Sequence, residues 1–191
     1  MLPRLQHLIT VLPWQDWAAL ALFVFGWIGY AQFASRRARV ERTLLSSTNH
    51  YRRLWMLQVT HRDQRIVDAA ITQNLASSPS FWASTTILVI GGLLAVLGTT
   101  EKASEFVRDL PFAVRTSLLV LDIKLIALLS VFVYAFFRFT WSIRQYSVGV
   151  LMVAAAPESD AVLDEAQRQS FADRAGRVMG LAAESFNDGL R

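Results

Sequence analysis

Asp122 and Lys124 stand inside an otherwise apolar run, Thr116 to Phe139 (TSLLVLDIKLIALLSVFVYAFFRF). Ionisable side chains at membrane depth are costly, and they mark ion pathways, buried helix contacts or side chains that reach back to the headgroups. Two residues apart on a helix, these two diverge by about 200° and do not face each other. Each therefore needs its own partner. At about 1.5 Å rise per residue both lie roughly 9–12 Å inside the outer end of the run, and Lys124 can snorkel from there. Burial in helix contacts, or reach to the headgroups, ranks ahead of an ion pathway.

His50 and His61 are eleven residues apart, close to one helical face, and Asp68 follows seven residues later. His and Asp are metal-ligand types. Eleven residues of helix cover about 16 Å, however, too far for one site. Solvated or structural histidines are the better reading. The chain has no cysteine, which excludes disulfides, iron–sulfur clusters, thiol nucleophiles and thiolate zinc sites. It has no nucleophile elbow, phosphate loop or zinc signature. No histidine falls in an apolar run, so quinol or haem binding has no ligand there. No catalytic, cofactor-binding or metal residue is assigned, and an enzyme is the least supported class.

The elements that must position these residues are membrane spans. The 191 residues are 53% hydrophobic and only 18% charged, against about 25% charged in soluble domains. Besides 116–139, two more apolar runs are present. Trp14 to Ala34 is 21 residues, about 31 Å as helix, enough to cross a bilayer. Its positive cluster follows it, unlike a signal peptide's. Phe81 to Gly98 is shorter and follows Ser77-Ser78-Pro79; Ser78 reads as an N-cap and Pro79 as the first helical residue. Gly91 and Gly92 within it would permit close helix contact. The expected fold is all-α, an integral membrane protein with three spans, 14–34, 81–98 and 116–139.

Charge orients the spans. Of the 19 basic residues, 17 are Arg. Eight lie in 35–79 and six in 138–191, against four in 1–13 and 99–115 (Arg4, Lys102, Arg108 and Arg115). The positive-inside rule puts the N-terminus outside and the two Arg-rich regions in the cytoplasm. Topology accounts for the arginines better than nucleic-acid binding does.

Residues 38–75 contain no Gly or Pro and carry a stripe of Leu44, Tyr51, Trp55, Val59, Ile66 and Ala70, which predicts one or two amphipathic helices. This segment either lies on the inner leaflet, with arginines such as Arg36, Arg37, Arg52 and Arg53 at lipid phosphates, or packs in a bundle with 159–190. The existence of that second amphipathic segment favours the bundle. Pro157 precedes it, and Ser159 or Asp160 reads as its cap. Phe171, Ala175, Val178, Ala182 and Phe186 form its stripe. Ala172, Gly176, Gly180 and Ala183 form a small-residue strip beside it, and simple core packing is the reading preferred for that strip. Between the two lies Tyr146 to Ala156, too short to span; it either extends the third helix or forms a re-entrant or buried piece.

Three stretches, Arg65 to Gly98, Phe137 to Pro157 and the ending FNDGLR (Phe186 to Arg191), resemble a family of small multi-span membrane proteins of bacteria and plants catalogued as a domain of unknown function. The resemblance covers most of the chain. It implies a bacterial inner-membrane protein and no activity. In that family a further apolar helix follows the FNxGLR-like motif, so the resemblance implies either a shorter variant with three spans or a fourth span after Arg191 that would return the C-terminus outside. Two functions follow as expectations. The first is a non-catalytic membrane component, a homo-oligomer or an accessory subunit of a complex. The second is an oligomeric channel or carrier for ions or small solutes built around Asp122 and Lys124.

Overall fold

The computed structural model describes residues 14–40, 44–100, 118–162 and 164–191. The described elements are all helices: α1 (Trp14–Val40), α2 (Leu44–Val59), α3 (Ile66–Leu97), α4 (Leu118–Ala154) and α5 (Glu165–Leu190). The chain divides into two compact units, Met1–Ser35 with Leu88–Phe132, and Arg36–Ile87 with Val133–Arg191.

Two helices, α3 and α4, are long and apolar enough to cross a membrane. α1 covers the first apolar run. The segments 1–13 and 101–117, and the side chains of Arg36 and Arg37, lie outside the described residues.

Several boundaries differ from the sequence-based expectations. Residues 38–75, expected as one or two amphipathic helices, are shared among α1, α2 and α3. α2 ends at Val59, and 66–75 are the first turns of α3. No Gly or Pro marks this break; polar side chains make it. Thr60 Oγ1 donates to the Leu57 carbonyl at 2.7 Å, and His61 Nδ1 lies 3.0 Å from the same oxygen. Such side-chain bonds satisfy the open carbonyls of a helix end. The break resets the helical register, so Ile66 and Ala70 are exposed while Met56 and Val59 are buried.

Pro79 is not the first residue of a helix but sits inside α3, and Ser78 caps nothing. A proline within a helix removes one backbone donor. Neighbouring hydroxyls bond to carbonyls of this turn: Ser77 Oγ donates to Asn74 O at 2.6 Å and Ser80 Oγ to Ala76 O at 2.8 Å. α5 is capped by Asp164, not by Ser159 or Asp160. Its carboxylate accepts from Gln167 N at 2.7 Å while the Gln167 side chain accepts from Asp164 N, a capping box. Tyr146 to Ala156 carries α4 on as far as Ala154.

The core of the Arg36–Ile87/Val133–Arg191 unit is the seam between α2 and α5, with α4 beside it. Met56, Val59, Tyr146, Val153, Ala175, Met179 and Ala182 are buried together. On α5 the small-residue strip is the more deeply buried face. Ala172, Gly176, Gly180 and Ala183 are all buried, whereas Phe171, Val178 and Phe186 are only half-buried. The reason is close approach. A Cβ at Gly176 would lie 3.0 Å from Arg53 Cα, and one at Gly180 would lie 2.9 Å from Asn49 Oδ1.

Candidate functional site

Two polar constellations and a cavity among the described residues of the Arg36–Ile87/Val133–Arg191 unit concern function. The first constellation is centred on Asp68, which is 1% exposed. Its Oδ1 accepts from Trp55 Nε1 at 2.6 Å and from Arg62 Nη1 at 2.8 Å; its buried Oδ2 has no partner. A buried carboxylate is tolerated when charge and donors compensate it. Here one residue from α2, one from the turn and one from α3 converge, so the carboxylate fastens the α2–α3 corner.

The second constellation holds the α4–α5 loop. Arg168, 5% exposed, donates to the carbonyls of Thr60, Glu158, Ser159 and Ala161. Arg65 donates to Ala156 O at 2.7 Å and to Pro157 O. Two guanidinium groups thus satisfy carbonyls just past the C-terminus of α4, where positive charge also complements the helix dipole. At the other end of α5, Asp188 pairs with Arg138, and Phe186 packs against Phe139.

The cavity, about 420 Å³, opens among α2, α3, α4 and α5. α2 contributes Thr48 and Arg52, and α3 contributes Ile71, Asn74, Leu75, Ser77 and Ser78. Tyr146 comes from α4; Ala183, Phe186 and Asn187 come from α5. Arg52 Nη1 donates to Asn49 Oδ1 at 2.7 Å and to Thr48 Oγ1 at 3.2 Å. No carboxylate pairs with Arg52 among the described residues. Tyr146 lies beyond the apolar run that ends at Phe139. Burial raises its phenol pKa above the usual 10.0, and the nearby Arg52 charge opposes this, so the hydroxyl stays protonated at neutral pH.

The expected site residues separate into two groups. Arg52, Arg53, Gly176 and Gly180 come together at the α2–α5 seam: Gly180 abuts the Asn49 amide that Arg52 bonds, and Gly176 abuts the Arg53 backbone. The Arg53 side chain is exposed. Asp122, Lys124, Gly91 and Gly92 belong to the other unit. Asp122 is half-buried, and its Oδ1 is buried with no hydrogen-bond partner; Lys124 is exposed. A Cβ at Gly91 or Gly92 would meet nothing within 4 Å among the described residues.

His50 and His61 do not share a helix face, because α2 ends at Val59. His50 is exposed and stacks edge-on with Tyr51, and His61 Nε2 lies 3.7 Å from Glu165. Asp68 is committed to Trp55 and Arg62. Sequence reading gave Trp55 only a place in an apolar stripe, read Arg65 and Arg168 only as basic residues of the two Arg-rich regions, and passed over Asn74 and Asn187. One of them left a signal: Arg168 is four residues before Ala172, so it lies in line with the small-residue strip that α5 buries.

The model of a family described as a protein of unknown function, DUF599, matches residues 18–191 of the chain. No curated protein and no solved structure matches it.

Proposed function

Because the chain belongs to the DUF599 family, whose description assigns no activity, we propose a function from architecture: a non-catalytic component of the cytoplasmic (inner) membrane that works by assembling with copies of itself or with a larger complex. One observation carries this reading. In the two long apolar helices, only 11% and 6% of the most apolar stretch is buried inside the protein. Faces such as those of Phe81, Leu88, Ile126 and Phe137 are exposed and must be covered by lipid or by other helices.

Three spans with the N-terminus outside complete the proposal. α1 supplies the first span, and the fourteen basic residues of the two Arg-rich regions support the orientation. Among the described residues no three His, Asp or Glu side chains converge as metal ligands would, and the polar constellations are bound up in helix corners and a loop. The test is the native mass of the full chain extracted into detergent. A defined oligomer or a stoichiometric co-purifying subunit is expected; a lone monomer would sink the reading.

A second reading, an oligomeric channel or carrier, draws on the unpartnered Oδ1 of Asp122 within α4. Ion flux into liposomes that Asp122→Asn abolishes, with assembly unchanged, would decide for it.

A further inference from the structure

We propose that the Arg52 cavity is a phosphoester-binding site, and that the group it takes is the headgroup of an anionic phospholipid. The lipid source rests on the membrane reading above; the phosphoester chemistry does not.

Charge comes first. Among the described residues the lining contains one arginine and neither Asp nor Glu. Arg52 is held by two neutral oxygens, both through Nη1, which leaves its Nη2 and Nε donors for a ligand. A guanidinium so placed, with no carboxylate of its own, favours an anion, and charge-assisted bonds to phosphate oxygens are among the stronger hydrogen bonds.

The other polar groups are suited to the same ligand. Asn74, Ser78 and Asn187 line the cavity, and their side chains make no hydrogen bond to the described residues. Two amides and a hydroxyl supply five further donors.

The remaining wall separates a lipid from a free anion. Ile71, Leu75 and Phe186 are apolar; an inorganic ion would leave them wet, whereas the glycerol and first methylenes of a lipid would cover them. Depth agrees. Ser77 and Ser78 precede Phe81, where the apolar run of α3 begins, by roughly 5 Å of helix. That is headgroup level for a helix entering the bilayer at Phe81. A volume of about 420 Å³ falls within the range of small-molecule sites.

The experiment titrates the full detergent-purified chain with dihexanoyl phosphatidylglycerol and, separately, with inorganic phosphate, counting bound molecules by native mass spectrometry. One phosphatidylglycerol per chain is expected. Arg52→Gln should weaken it by about tenfold or more, as loss of a charge-assisted bond implies, while Arg177→Gln, an exposed α5 arginine outside the cavity, should change nothing. Inorganic phosphate should bind at least about tenfold more weakly, for want of the apolar contacts. If Arg52→Gln loses its helical circular dichroism, Asn74→Ala/Asn187→Ala is judged by the same criterion. No specific adduct, or one indifferent to these variants, overturns the proposal. Arg52-dependent binding of inorganic phosphate as tight as that of the lipid overturns the lipid assignment. Release of the chain from membranes by alkaline carbonate would refute the membrane reading instead, and it leaves the phosphate result to stand or fall alone.

Discussion

Asp68 shows how a single buried charge is put to structural use. Its Oδ1 receives an indole N–H from α2 and a guanidinium N–H from the turn. Removing the carboxylate leaves the half-buried Trp55 donor unpaired, and donors left unpaired away from water cost more than a hydrogen bond is worth when made. Asp68→Ala should therefore destabilise the protein by about 1–3 kcal/mol, and Trp55→Phe, which deletes one donor and keeps the arginine contact, by about 1 kcal/mol. Thermal unfolding in detergent measures both; an unchanged melting temperature for Asp68→Ala would mean that the carboxylate is not fastening the corner. Arg168 differs in that all its partners among the described residues are backbone carbonyls. Arg168→Ala should release the α4–α5 loop, read as faster amide exchange over residues 155–164 with exchange in the middle of α5 little altered. Neither role was visible from local sequence. Asp68 looked like a third member of a histidine face because its true partners are fixed by a corner, and no Gly or Pro announces that corner.

At the level of elements, the closest contact is between α2 and α5. A methyl group at Gly176 would stand 2.8 Å from Arg53 Cγ and 3.0 Å from Arg53 Cα. The side-chain atom can move aside, but the backbone atom can move only with its helix. Gly176→Ala should thus cost about 1–3 kcal/mol through overpacking, despite the helix propensity that alanine ordinarily adds. Gly91→Ala, where the described residues leave open space, should be neutral or stabilising by up to about 1 kcal/mol. Comparing the two melting temperatures checks the assignment, and equal shifts would contradict it. This contrast marks what sequence can disclose. The apolar runs were legible because hydropathy is a property of the run itself, and the small-residue strip of α5 was legible because it repeats at helical spacing. The end of α2, the passage of α3 through Pro79 and the cap at Asp164 were not. The bonds at Pro79 and at Asp164 are local, but the places where α2 and α4 stop depend on residues far along the chain: the Thr60 carbonyl is taken by Arg168, 108 positions away, and the Ala156 carbonyl by Arg65, 91 positions away. The cavity was illegible for the same reason, since its lining comes from four helices and, of those residues, only Arg52 had been read as a ligand contact, as one arginine among several.

For the whole molecule, the orientation proposed from charge can be checked cleanly because the chain has no native cysteine, so each introduced thiol is an unambiguous reporter. Ser159 lies in the loop between α4 and α5, and Thr100 lies just past α3. With the Arg-rich regions in the cytoplasm, Thr100→Cys should react with a membrane-impermeant maleimide in intact cells, and Ser159→Cys only after the membrane is opened. The reverse pattern would invert the topology, and labelling of both in intact cells would remove α4, the helix between them, as a span. Assembly is then tested on the same footing. Gly91 and Gly92 make no contact with the described residues that a methyl group would disturb, which leaves this face open to a second copy of the chain. In the oligomer, a second helix seated on this glycine face would be displaced by a large side chain, because small residues are what let membrane helices approach. Gly91→Leu should accordingly leave the melting of the α2–α5 seam unchanged while lowering the native mass from oligomer to monomer. If the oligomer survives Gly91→Leu and Gly92→Leu together, assembly runs through another face, and the exposed aromatic surface of α4 around Phe137 and Trp141 becomes the next to probe.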